Sequence, residues 1–204
     1  MAEDIVQVTS GAGPKLHTWS YTVGANTVHD EVMIPGPYPW PTYSVLASSV
    51  SMATANDHIL CLNAGASLKV RIVRIWAEQV SNATAVTVSN LVVLRTTTSA
   101  PTGGTAVTAA PYDTSAAAAG AAGRTLPAAK GTESTELMRS TLAWRQALLA
   151  TATQMDDAWQ WLVSPFGQPL IIPAGATNGI VVKSLTAVAG LTVNVGMEFV
   201  ETAF

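Results

Sequence analysis

Chemistry starts with residues that can take a proton, hold a metal or attack a carbon, and this chain holds few of them. Its histidines are His17, His29 and His58, and Cys61 is its single cysteine. His29-Asp30-Glu31 offers three potential ligand side chains in a row. No second His or Cys stands at zinc-like spacing from them, so a solvated polar turn accounts for the run better. His58 opens an apolar run and reads as a satisfied core or edge residue. Cys61, in DHILCLNAG, reads as a small buried apolar side chain. With one cysteine, an internal disulfide is excluded. Serine-histidine catalysis needs a nucleophile on a strained turn, and no G-x-S-x-G occurs. Glycoside hydrolysis needs two carboxylates across a cleft. Asp156-Asp157, beside Trp159 and Trp161, is the one acidic-aromatic cluster. Its indoles suit a glycan-facing platform; the bland alternative is an aspartate-capped turn with tryptophans packed inward. GAG at 11–13 and TGG at 102–104 lack the strand-loop-helix context of a phosphate loop. Asn82-Ala83-Thr84 matches a glycosylation sequon, which matters only after export. These residues point away from an enzyme and call for no metal and no cofactor.

Composition points the same way. Charged residues make up 11% of the 204, against roughly 25% in an ordinary globular domain. Hydrophobic residues reach 49%, much of it alanine, which buries little area per residue. The exposed positions must then be Thr, Ser, Asn, Gln and Ala, a weakly self-repelling surface suited to life inside an assembly. Ten scattered Lys and Arg and a net charge of −3 provide no footprint for nucleic acid. No run approaches the ~18 apolar residues of a membrane span. MAEDIVQVTSG has neither a basic nor an apolar leader region, so the expectation is a chain made in a cytoplasm and not exported by the general route.

The elements that would position these residues are strands. Residues 1–57 read as an extended N-terminal arm. Its stretch MIPGPYPWPTY (33–43) places prolines at 35, 37, 39 and 41, which force extended backbone and cannot sit in a central strand. Trp19, Tyr21, Tyr38, Trp40 and Tyr43 are its aromatic residues and its candidate partner-binding anchors. From 58 to 204 the pattern is strand, turn, strand. HILCLNA (58–64) passes through Gly65 into SLKVRIVRIWAEQV (67–80), whose apolar phase slips near Val73, the signature of a bulge or a bend between sheets. ATAVTVSNLVVLR (83–95) suggests a second break at Ser89-Asn90. Residues 103–113 read as short and edge-like, and the alanine-rich 114–133 as a surface excursion with one helical turn. For 134–149 a strand is favoured over a helix.

The end of the chain is cleaner. DAWQWLVSP (157–165) alternates through Trp159 and Trp161, and PLIIP forms a short buried strand. In GLTVNVGMEFVE (190–201), Leu191, Val193, Val195, Met197 and Phe199 share one face. IIPAGATNGIVVK (171–183) and NAGASLKVRIVRIW (63–76) both set a glycine-rich bend between apolar runs and read as sandwich corners. Strands about ten residues apart, Gly/Pro/Asn turns and no long helix predict an all-β, antiparallel β-sandwich. Bulged strands and a long crossing excursion favour a jelly roll with an extended proline-rich N-terminal arm.

One block adds a family. RIWAEQVSNATAVTVSNLVVLRTTTSAPTGGTAVTAAPYDTSAAAA (74–119) with LIIPAGATNGIVVKSLTAVAGLTVNVGMEFVE (170–201) resembles tailed-bacteriophage virion structural proteins. The likeness covers roughly residues 60–204, lies in strand ends and turns, and carries no catalytic residues. It implies a capsid decoration (cement) protein on the outside of the phage head, assembled in the host bacterial cytoplasm. The implied partners are the major capsid protein and further copies of the chain, as a trimer. A neck, tail or fibre-attachment component is the structural alternative. A carbohydrate-binding module using Trp159 and Trp161 for host attachment is the alternative of another class.

Overall fold

A computed structural model describes residues 18–23 and 26–31, as backbone, and 41–81, 83–85, 87–144, 158–164 and 167–202. Two compact units divide the chain, Met1–Pro39 and Trp40–Phe204. In the first, strands β1 (Thr18–Val23) and β2 (Asn26–Glu31) form an antiparallel hairpin with Val23 opposite Asn26. The stretch expected to be wholly extended thus contains a hairpin.

The second unit begins with β3 (Thr42–Ser51), and here the expected arm of residues 1–57 needs correction. Tyr43, Val45, Ala47 and Val50 of β3 belong to the buried core. The run TYSVLASSV alternates and pairs with the C-terminal strand, so the unit boundary falls at 39/40 and not at 57/58. The influence of the four prolines ends at Pro41.

Eleven strands follow: β4 (His58–Asn63), β5 (Lys69–Gln79), β6 (Thr87–Thr97), β7 (Thr105–Val107), β8 (Ala110–Pro111), β9 (Ala122–Thr125), β10 (Thr132–Trp144), β11 (Ala158–Leu162), β12 (Leu170–Ile172), β13 (Gly179–Ser184) and β14 (Thr192–Thr202). They form two antiparallel sheets, ordered β10-β6-β13-β4-β9-β7 and β11-β5-β14-β3-β8, with β12 also on β5. The described residues contain no helix. Between the sheets lies a core to which β3, β5 and β14 contribute mainly alternate residues, while β4 is buried along its whole length. The expected face of β14 is buried as read: Val193, Val195, Met197 and Phe199 are all fully enclosed.

Local irregularities explain where periodicity held and where it failed. On β5 the register against β14 shifts between Arg74 and Ile72, so Val73 is the extra residue and the inward set runs Val70, Ile72, Ile75, Ala77. The same bulge divides the strand's outer edge, with β12 on Val70–Ile72 and β11 on Arg74–Glu78. The break expected at Ser89-Asn90 is absent. β6 runs through it in register with β10, and Ser89 occupies an inward position because its hydroxyl accepts the indole N–H of buried Trp144. β10 is a strand whose two register irregularities, between Glu133 and Met138, obscure its period. The expected surface excursion of 114–133 opens on one hydrogen-bonded turn, in which Ala116 donates to the Asp113 carbonyl at 3.0 Å, and then carries strand β9. Gly123 lets β9 lie close, since a Cβ there would sit 2.8 Å from the Val107 carbonyl.

The two glycine-rich bends are corners between sheets, and they meet. Gly175 donates its N–H to the Gly65 carbonyl at 2.9 Å, and Ala64 donates to Asn178 at 3.0 Å. Gly175 takes φ of +119°, a region open to glycine. A Cβ on Gly65 would fall 2.9 Å from the Gly120 carbonyl. Nearby, the carboxylate of buried Glu201 accepts the backbone N–H groups of Gly120 and Ala121 at 3.0 and 2.6 Å, fastening the excursion to β14.

Candidate interaction surface

The aromatic anchors expected from sequence separate into three groups. Trp19 and Tyr21 lie on β1, in register with Asp30 and Val28. Tyr38 and Trp40 lie outside the described residues. Tyr43 is no surface anchor: it is 2% exposed, its ring stacks on Phe199 with centroids 5.5 Å apart, and its hydroxyl donates to the Ala117 carbonyl at 2.9 Å. Burial, then the charge of Glu201, raises the Tyr43 phenol above its ordinary range, in keeping with a neutral core hydroxyl.

Trp159 and Trp161 do fall on one strand, β11, at alternate positions. Their partners across the pair are Ala77 and Ile75, both core residues, and both indoles are half-buried against that core. The β11 residues facing outward are Gln160 and Leu162. The tryptophans therefore pack inward instead of forming an exposed glycan platform. Asp156 and Asp157 lie outside the described residues.

What the sheet presents instead is its outer face. Leu46, Gly196, Trp76 and Gln160 stand in register across β3, β14, β5 and β11. The neighbouring row holds Ser44, Glu198, Arg74 and Leu162. Trp76 lies flat on Gly196, where a Cβ would come within 2.6 Å of the indole. Leu46, Leu162 and Tyr112 of this region are each at least half exposed. Arg74 donates to Glu198 at 3.0 Å and to Gln160 at 3.2 Å, giving the apolar surface a polar border. Burial and the hydrogen bond and charge of Glu198 raise the Tyr112 phenol, with Arg74 opposing. A hydrophobic centre with a partly neutralised rim matches the composition of protein contact surfaces and makes this face a candidate one. Sequence reasoning passed over Trp76, although an indole on the outward phase of a core strand is the available signal.

One side-chain cluster has the atoms of an acid-base relay. Cys61 Sγ lies 3.6 Å from His58 Nδ1, His58 Nε2 lies 2.8 Å from Glu133, and Lys183 also donates to Glu133 at 2.8 and 2.9 Å. Three residues apart, His58 and Cys61 would face opposite ways on a regular strand. The register slip against β13, between Val182 and Lys183, brings them together. The thiol cannot serve as a nucleophile, because it has no exposed surface and burial pushes its pKa up to about 12. Burial lowers the His58 pKa and outweighs the Glu133 contact, which raises it. Neutral His58 thus donates from Nε2 to a carboxylate and accepts at Nδ1, a hydrogen-bonded strut and not an ion pair. Burial works against the Glu133 carboxylate, but the hydrogen bonds from Lys183 and His58 win and hold its pKa down.

Both shifts predict acid lability. A histidine depressed in the folded state leaves the unfolded chain binding more protons below pH about 6.5, so stability falls as pH drops through that region. Glu133, also depressed, contributes stability present above its unfolded value near 4.5 and lost as pH falls through the folded one. Urea midpoints measured from pH 8 to pH 4 should decline, beginning below about 6.5. His58→Gln should flatten the first part of that decline; an unchanged slope would remove His58 from the account.

Among the described residues no group of three His, Cys, Asp or Glu is placed to hold a metal ion. Comparison of the chain with protein-family models, with curated proteins and with solved structures finds no match.

Proposed function

We propose that the chain is a virion structural protein, a jelly-roll decoration (cement) protein. It binds the outside of a phage head as an oligomer, a trimer, and stabilises contacts between major capsid subunits. The observation that carries the reading is strand order. Numbering β3, β4, β5, β6, β10, β11, β13 and β14 from one to eight, the sheets run 1-8-3-6 and 2-7-4-5. The nested antiparallel pairs 1·8, 2·7, 3·6 and 4·5 are those of one long hairpin rolled into two layers. That pairing supports the jelly-roll reading, an arrangement used by viral capsid proteins among others.

Fold alone does not assign function. Support for an assembly role comes from the surface: a net charge of −3 with few charged residues, and the outward patch of Leu46, Trp76, Leu162 and Tyr112. Trp19, Tyr21 and Tyr38 of the N-terminal unit, with Trp40 at the start of the second, remain the candidate clamp on the shell, and Tyr43 leaves that set. The described residues contain no helix long and apolar enough to cross a membrane. Assembly on the virion exterior in a bacterial cytoplasm, with self and the major capsid protein as partners, completes the proposal. A trimer bridging several shell subunits turns individually weak contacts into tight occupancy. Because the protein would bind the closed shell and not dissociated subunits, linkage requires the shell to become more heat-resistant. Particles with the protein should release their genome at a higher temperature than particles lacking it; equal release temperatures would sink the cement role.

A further inference from the structure

We propose that the groove between β3 and β7 is a strand-addition site that takes an extended, uncharged polypeptide segment of another chain. This inference stands on the geometry of the second unit and does not depend on the virion reading. β8 covers only the first part of the outer edge of β3, at Tyr43 and Ser44. From Val45 to Ser51 no described strand lies on that side. Thr42 accepts the Tyr112 N–H across this edge. Backbone groups alternate in direction along an antiparallel strand, so Ser44 and Leu46 point the same way. Leu46 therefore aims its N–H and C=O into the groove, while Val45 and Ala47 turn theirs to β14. The opposite wall is β7, Thr105–Val107, itself the last strand of its sheet.

The space between these two edges measures about 540 Å³, within the ~300–1,000 Å³ of ligand clefts. Its lining holds no charged residue: Ser48, Ser49, Ser51, Thr105 and Thr108 supply hydroxyls, and Leu46, Val50 and Val107 supply apolar surface. An uncharged occupant matches that lining, and the backbone donor and acceptor that Leu46 presents on a strand edge are matched by another strand. A second observation comes from backbone strain. Ser49 (φ +53°) and Leu126 (φ +45°) both line the groove in the left-handed region that non-glycine residues avoid. Ser49 is held there by the bulge opposite Asn194, whose side-chain oxygen takes its N–H at 3.0 Å.

The test tethers a probe so that affinity does not limit it. Ala106, exposed on the groove wall, is changed to cysteine, and Cys61 is fully buried and does not compete. An acetylated, amidated Thr-Val-Cys-Val-Thr-Val peptide is joined by a disulfide and amide exchange is followed by NMR. Before tethering, the Leu46 N–H should exchange freely while those of Val45 and Ala47 are protected. After tethering, Leu46 exchange should slow by about tenfold or more, and a peptide with proline in place of each valine should have no effect. Leu46→Pro in the same tethered protein should keep the fold, as proline is tolerated on edges, and abolish the shift in peptide resonances. A Leu46 amide already protected in the free protein, or one indifferent to the tethered strand, would overturn the proposal. So would equal protection by the proline peptide, which would show shielding without pairing.

Discussion

Val195→Asp should yield no soluble folded protein. Val195 sits on the central strand β14, fully enclosed between β3 and β5, in register with Ala47 and Ala77. The substitution loses ~1.5–3 kcal/mol of apolar burial and adds an unpaired buried charge, which costs several kcal/mol more. Together these approach the ~5–15 kcal/mol that holds a typical domain. Asn194→Asp, one residue away on the outer face, gives a graded comparison. Asn194 accepts the Ser49 N–H and donates to Glu78 at 2.8 Å. A carboxylate there keeps the first bond and turns the second into a repulsion, so a stable fold with a lowered urea midpoint is expected. Equal loss from both variants would mean that the inward-outward alternation of β14 does not govern this strand.

The two truncations that bracket β3 should differ as sharply. Removing residues 1–39 takes away one compact unit and leaves the sandwich its full set of strands. Removing residues 1–51 strips Tyr43, Val45, Ala47 and Val50 from the core and leaves one side of β14 unpaired from Thr192 to Val200. Four core side chains at ~1.5–3 kcal/mol for the larger ones are most of a domain's net stability. Circular dichroism and a cooperative melt should therefore survive the first truncation and disappear in the second. A folded product from the second would return β3 to the arm.

These outcomes also mark what could be read from residue order. The C-terminal strand was legible because Leu191 to Phe199 alternate without a flaw, and the β5 bulge because Val73 breaks an otherwise regular phase. β3 was not, because four prolines just upstream dominate their surroundings and hide the alternation of Tyr43, Val45 and Ala47. β9 was hidden in alanine and glycine, whose low strand propensity is overridden by the close approach that Gly123 permits. Ser89 looked like a break because its partner, the Trp144 indole, lies 55 residues away. The same limit explains the surface. In the sequence Tyr43 reads as a surface anchor, and Trp159 and Trp161 fit either a glycan platform or inward packing, because which side of a strand meets solvent depends on sheet pairing. Trp76, on the outward phase, became visible once Gly196 was seen beneath it. The nested pairing of the eight strands rests on contacts distant in sequence, over a hundred residues apart between β3 and β14, and leaves no local trace.

Whether the oligomer sits on the outside of a phage head can be seen in a density map of a particle that carries the protein. Three copies of the two-layer sandwich should stand grouped over the shell, in contact with major capsid subunits and repeated with the symmetry of the head. Density confined to the neck, tail or fibres, or particles that contain none of the chain, would contradict that placement.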